Sequence, residues 1–266
     1  LNLASLNRSS CVSKKWRQLA SKPLLWKKAI HRELAFGIAQ WAQCCGEDAI
    51  KDESRQEEFS SLPLNVVEYY KKYQDNFPER RAKDDLMLIW LPKTWHGQLT
   101  LNNLAKLGER YFPFVGAMIN GWSGIQRPVA DELGDQSIKK SYWALATKEI
   151  IPRSKRIDDA KQQFIFDFLS LGLIFSCNLP NALEAGVCFC AECLSCKGNE
   201  WSSFGSMMAC DDKEWDYTLC QERIQNERVV VASRIPLRMP IAGLHHDVRN
   251  LAGAKALWKF STDIQT

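Results

Sequence analysis

Apolar residues near the start of the chain recur at three- and four-residue steps: Leu3, Leu6, Val12, Trp16 and Leu19, then Leu24, Leu25, Trp26 and Ile30. That spacing predicts short helices over residues 1–38. Ser21-Lys22-Pro23 punctuates them, with Pro23 suited to the first turn of the second helix. Residues 39–61 mix polar and apolar positions, with a charge-rich stretch from Glu47 to Glu58, and read as a linker or a solvated helix. From Leu64 to Phe77 the helical period returns, with Val66, Val67, Tyr70 and Tyr73 on the apolar face.

Beyond Asp85 the pattern changes. Leu86 to Leu91 is a continuous apolar run closed by Pro92, which predicts a strand. Leu99 to Tyr111 reads as a helix with Thr100 as its N-cap. Phe112 to Ile119 and Tyr142 to Thr147 read as strands flanking a Gly-rich loop, Asn120 to Asp135. A helix is expected over Ile157–Leu171, then a strand over Leu173–Leu179 ended by Pro180. Asn181 then caps a helix running to about Cys196. Tyr217–Glu222 and Arg228–Arg234 form a hairpin pattern, and Val248–Phe260 closes the chain as a short helix or a strand. No internal repeat is present. The irregular alternation predicts an α+β fold: a small helical module at 1–38, a helical linker at 39–84, and a mixed α+β domain at 85–266.

Composition narrows the class. With 45% hydrophobic and 25% charged residues the chain is an ordinary globular sequence. No apolar run reaches the roughly 18 residues that span a bilayer; the nearest, Phe164 to Cys177, is interrupted by Asp167. The polar, basic first residues carry no small-residue cleavage site, so no secretory signal is expected. Leu1 is not a methionine and the chain opens in mid-pattern, which predicts a piece of a longer product. Ten cysteines in 266 residues are too sparse for a disulfide scaffold and predict reduced thiols and a cytoplasmic setting. The net charge of +4 is uneven: residues 1–40 hold eight Lys/Arg against one Glu, the remainder 27 against 30 Asp/Glu. A basic segment (Arg8, Lys14, Lys15, Arg17, Lys22, Lys27, Lys28) on a slightly acidic body suits an acidic protein partner or phosphates. Because Trp16 falls on the apolar stripe rather than among the bases, a solvated basic face is the expectation and nucleic acid is not.

The stretch from Val12 to Lys27, Val-Ser-Lys-Lys-Trp-Arg-Gln-Leu-Ala-Ser-Lys-Pro-Leu-Leu-Trp-Lys, resembles the C-terminal half of an F-box. That family has a Val-Cys-Lys-x-Trp core, then a Leu, then a Leu-Trp pair about five residues on. Ser13 stands where the family has Cys, and the opening Leu-Pro-x-Glu has no counterpart. The resemblance makes Leu3, Leu6, Val12, Trp16, Leu19, Leu25 and Trp26 the core and adaptor-binding positions, and implies docking to a Skp-type adaptor of a cullin ubiquitin ligase. A second resemblance spans roughly 91–260. Leu91-Pro92-Lys93-Thr94, Leu99 to Leu104, Lys140 to Trp143, Thr147-Lys148, Pro180 to Ala185, Trp215 to Glu222 and Leu257 to Phe260 are similar to F-box-like proteins of chlamydia-related symbionts of amoebae. The chain departs from them at Val231-Ala232-Ser233-Arg234, where a Val-Gly-Gly-Phe strand is usual, and again before the final Lys-Phe. This likeness assigns no catalytic residue; it implies a bacterial protein that selects a protein substrate in a cytosol, that of a eukaryotic host included.

Three constellations offer other chemistry. Cys188, Cys190, Cys193 and Cys196 have thiolate spacing that could hold zinc or an iron–sulfur cluster. On one straight helix, however, Cys190, Cys193 and Cys196 drift along a face while Cys188 points away, so core packing is expected and no metal or other cofactor. Cys210 and Cys220 could complete a site only if the helix broke. His245-His246-Asp247, or Cys220 with His245, would suit acid–base or thiol chemistry, but no spacing supports either. Gly121-Trp122-Ser123-Gly124 lacks the Lys-Ser/Thr of a phosphate loop. The expected function is therefore a non-enzymatic adaptor with no membrane partner. A thiol- or metal-dependent enzyme in 85–266 is one alternative. A degenerate F-box that packs on its own chain is another, and it predicts Leu3 and Leu6 buried within the chain where the adaptor reading predicts an exposed apolar patch.

Overall fold

A computed structural model describes residues 22–104, 133–148 and 177–195, the strands at 207–214, 217–224, 228–236, 252–253 and 257–260, and the isolated residues 6, 14, 18, 107, 131, 151, 165 and 167–169. The described chain is α+β. In order it forms α1 (Pro23–Leu34), β1 (Ala35–Phe36), α2 (Ile38–Cys45), a 3-10 turn (Glu47–Ile50), α3 (Arg55–Ser61), α4 (Asn65–Asn76) and α5 (Ala82–Asp85). There follow β2 (Leu86–Leu91), β3 (Tyr142–Thr147), β4 (Cys177–Asn178), α6 (Ala182–Ser195), β5 (Met207–Glu214), β6 (Tyr217–Ile224), β7 (Arg228–Pro236), β8 (Ala252–Gly253) and β9 (Leu257–Phe260).

Two sheets organise these elements. The first has the order β1-β2-β3-β9-β4, with β1 parallel to β2 and the other neighbours antiparallel. Every residue of β2 is buried, as its unbroken run Leu-Met-Leu-Ile-Trp-Leu requires of a strand covered on both faces. Trp90 pairs with Trp143 across β2 and β3, and Leu145 with Trp258 across β3 and β9, so bulky side chains sit in register over the sheet. The second sheet, β7-β6-β5-β8, is antiparallel but for the β5–β8 pair.

Helix α6 touches β2 of the first sheet and β5, β6 and β7 of the second, so it borders both. Its sequence suits that place. Ala182, Leu183, Ala185, Val187, Cys188, Cys190 and Ala191 are all buried, a helix apolar nearly all round rather than along one stripe. Asn181 begins it as expected: its Oδ1 accepts from the Glu184 N–H at 2.8 Å and the Glu184 carboxylate accepts from the Asn181 N–H at 2.9 Å. Thr100 likewise caps the helical turn at 101–104, accepting from the Asn103 N–H at 3.2 Å.

The stretch expected to be a linker is built into the body. Trp41, Cys45, Ile50 and Leu62 are buried, and the Trp41 indole N–H donates to the Trp90 carbonyl at 3.0 Å. Ala35 and Phe36 pair with Leu88 and Ile89. One apolar cluster runs from Leu6 through the helices to Phe260. Ile38, Trp41, Ala42 and Cys45 do fall at helical spacing, but over a helix of only eight residues that runs into a charge-rich stretch, which is why 39–61 reads as solvated in sequence. Helix α4 keeps its expected face and adds Tyr69, whose ring meets Trp258 at 4.9 Å. The closing segment is strand, β8 and β9.

Candidate functional site

Two of the motif residues, Leu25 and Trp26, lie on α1. Pro23 opens it at a position that needs no N–H, and His31 and Arg32 occupy its last turn, where positive charge suits the dipole. Trp26 is buried, its ring 5.9 Å from Tyr70 on α4 and covered on another side by the Lys71 ammonium at 4.9 Å. Leu25 is half-buried against the core. Leu24 faces away, 54% exposed, one of three large apolar side chains exposed among the described residues, with Leu64 and Phe168. Leu6 is buried at 1% exposure. Leu3, Val12, Trp16 and Leu19 lie outside the described residues.

Of the basic segment, Lys14, Lys22 and Lys28 are exposed. Lys27 departs from the expected solvated face. Its Nζ donates to the Ser60 carbonyl at 3.2 Å and lies over the Phe59 ring, and burial lowers its pKa. Lysine stems are long enough to cross an apolar surface and set the charge at a helix C-terminus, here that of α3.

Behind α1 stands a carboxylate that sequence reading missed. Glu58 on α3 is buried, and its Oε1 accepts from the Ile38 N–H at 2.9 Å, at the start of α2. His31 Nε2 lies 3.7 Å from the same oxygen. The Trp143 indole donates to the Glu58 carbonyl at 2.7 Å, tying α3 to the sheet. Gly37 is required here: a Cβ at that position would sit 1.8 Å from Glu58 Oε1.

A second missed carboxylate, Glu53, braces the corner between the 3-10 turn and the ends of β2 and β3. It accepts from the Trp90 indole at 3.2 Å, from the Lys93 and Thr94 N–H groups at 3.1 and 3.3 Å, and from the hydroxyls of Thr94 and Ser141. A third, Glu184, pairs with Lys259 at 2.7 Å and accepts from the Tyr142 hydroxyl besides capping α6. The quoted motifs held these residues' neighbours, and Ser141 and Glu184 themselves, but an isolated acid in a charge-rich stretch carries no signal of burial.

Four of the five cysteines described with their side chains are packed in the core. Cys45, Cys177, Cys188 and Cys190 are buried and carried as thiols. Burial, with Cys44 adding to it, pushes the Cys45 thiol up to about 12, and burial raises Cys177 and Cys190 as well, away from the thiolate a nucleophile or metal ligand needs. Among the described residues no three His, Cys, Asp or Glu side chains are grouped to hold a metal ion. The Cys193 side chain and Cys196 lie outside them, as do the side chains of Cys210 and Cys220, the His245-His246-Asp247 run and the Gly121–Gly124 loop. Cys220 takes a place in β6 opposite Ala209. Among the described residues no helix is long and apolar enough to cross a membrane.

Comparison with models of protein families, with curated proteins and with solved structures yields no match to this chain.

Proposed function

We propose that the chain is an F-box-like adaptor that performs no chemistry itself and brings a protein substrate to a Skp/cullin-type ubiquitin ligase, as a bacterial protein at work in a eukaryotic cytosol. The observation that carries this reading is the two-sidedness of α1. Trp26 of the Leu24-Leu25-Trp26 run is an anchor sunk in the body, while Leu24 stands in solvent beside it. An interaction helix needs that arrangement: one face fixes its position and another offers an apolar contact. The raised thiols and the saturation of Glu53 and Glu184 with structural partners agree with a body that presents surfaces rather than reactive groups. The remaining support is the F-box resemblance of residues 12–27.

One observation favours a second reading, a degenerate F-box with a structural role. Leu6, a position the adaptor reading leaves for a partner, is inside the chain. Co-expression of the whole gene product with a eukaryotic Skp-type adaptor separates the two. The adaptor reading expects stoichiometric co-purification. A folded product that recovers no adaptor leaves the structural reading.

A further inference from the structure

Helix α1 turns one apolar residue outward among bases. Leu24, Lys28 and Arg32 are spaced four apart, so they form a ridge along one side of the helix, and all three are exposed. Trp26, Lys27, Ala29, Ile30 and Leu34 are buried on the other side. Lys22, at the N-cap, is exposed as well. Glu33 is the one acid among residues 1–40, and it is taken by Arg32 at 3.0 Å. Lys22 and Lys28 have no carboxylate partner among the described residues, whereas Arg55, Arg80, Arg81 and Lys259 each pair with one. Leu24 thus stands in solvent with an unpaired ammonium before it and another one turn after it.

We propose that this ridge docks an acidic protein surface: Leu24 enters an apolar socket on the partner, and Lys22 and Lys28 meet carboxylates at its rim. Under the adaptor reading, on which this rests, that surface belongs to the Skp-type adaptor. The apolar tip favours protein over nucleic acid, because phosphates bind ammoniums and give a leucine nothing to bury against. The leucine supplies most of the affinity, since an apolar anchor sealed from water carries more than the charges around it. The lysines steer the approach and repel a basic surface, and their contribution fades with salt. Trp26 on Tyr70 and Lys27 on Ser60 hold the helix from behind, so the ridge is offered in one orientation.

Calorimetric binding of the whole gene product to a purified eukaryotic Skp-type adaptor, at about 50 mM and about 500 mM salt, tests it. The variants are Leu24→Asp and the double Lys22→Glu/Lys28→Glu. All three positions are exposed, so each variant is expected to melt with the natural chain. The charge reversal should weaken binding about tenfold or more at low salt and less than about threefold at high salt. Leu24→Asp should weaken it more than about a hundredfold at both. An affinity that the charge reversal leaves unchanged at low salt would overturn the acidic partner surface and leave the adaptor reading standing. No binding by the natural chain would overturn both. A DNA duplex titrated alongside is expected not to bind; binding that the charge reversal abolishes and Leu24→Asp leaves intact would make the ridge a phosphate contact and overturn the proposal. Should Leu24→Asp fail to fold, the charge reversal still decides.

Discussion

Glu53 and Glu58 lie five residues apart, and the fold treats them in opposite ways. Glu53 is surrounded by donors from the 90–94 turn and from Ser141, so its charge is spread over rigid elements and the corner is fixed. Glu58 is the more buried of the two and has fewer partners: one main-chain N–H and a histidine just out of hydrogen-bond range. A saturated carboxylate is a brace. An undersupplied one leaves more of the cost of its burial uncompensated. The brace holds the sheet corner, while Glu58 joins α3 to the start of α2 and lies against His31 of α1.

Substitutions can break or sharpen that contrast. The largest effect is expected at the α1 junction and is apolar: Trp26→Ala should cost about 3–5 kcal/mol in denaturant unfolding, because it removes the ring packed on Tyr70. At the corner, Glu53→Ala should cost about 3 kcal/mol by the same measurement, since it strands several donors at once. A loss under about 1 kcal/mol would show water taking over those bonds and would dissolve the contrast. Gly37→Ala should cost about 2 kcal/mol, the added methyl pressing on the Glu58 carboxylate, and it should be rescued in part by a smaller residue at 58. Asn181→Ala should cost about 1 kcal/mol, the worth of one helix cap.

Alkali gives the most diffuse effect, spread over several buried groups. Burial lifts the Cys45 thiol from 9.0 to about 12, so in that window the unfolded chain ionises first and stability falls as pH rises from about 9 towards 12. Tyr69, Tyr73 and Tyr142 are raised chiefly by burial and act in the same direction. Melting temperature followed from pH 8 upward should begin to drop near the lower bound, less steeply in Cys45→Ala; a flat profile would contradict the burial of these groups.

Much of the frame was legible in sequence where one element carried a long, unambiguous pattern. The run Leu86–Leu91 marked β2, Tyr142–Thr147 marked β3, and Asn181 marked the start of α6. What escaped was anything set by tertiary environment. Cys188 and Cys190 read as lying on different faces of one helix, and both are buried because α6 has neighbours in two sheets. Lys27 read as a surface base and is folded onto Phe59 and Ser60. Glu53 and Glu58 sat in a charge-rich stretch whose composition belongs to solvent; their places in the fold depend on donors up to 88 residues away. Of the candidate interaction site, Leu25 and Trp26 were placed on the helix that bears them, while the outward turn of Leu24 depends on how α1 seats against α4.

The most direct measurement compares Leu24→Asp with the unsubstituted gene product, scoring recovery of a Skp-type adaptor and melting temperature together. If α1 is fixed by Trp26 and interacts through Leu24, the substitution should abolish recovery and leave the melting temperature unchanged. Undiminished recovery, or a loss accompanied by unfolding, would contradict a helix that holds the body with one face and meets a partner with the other.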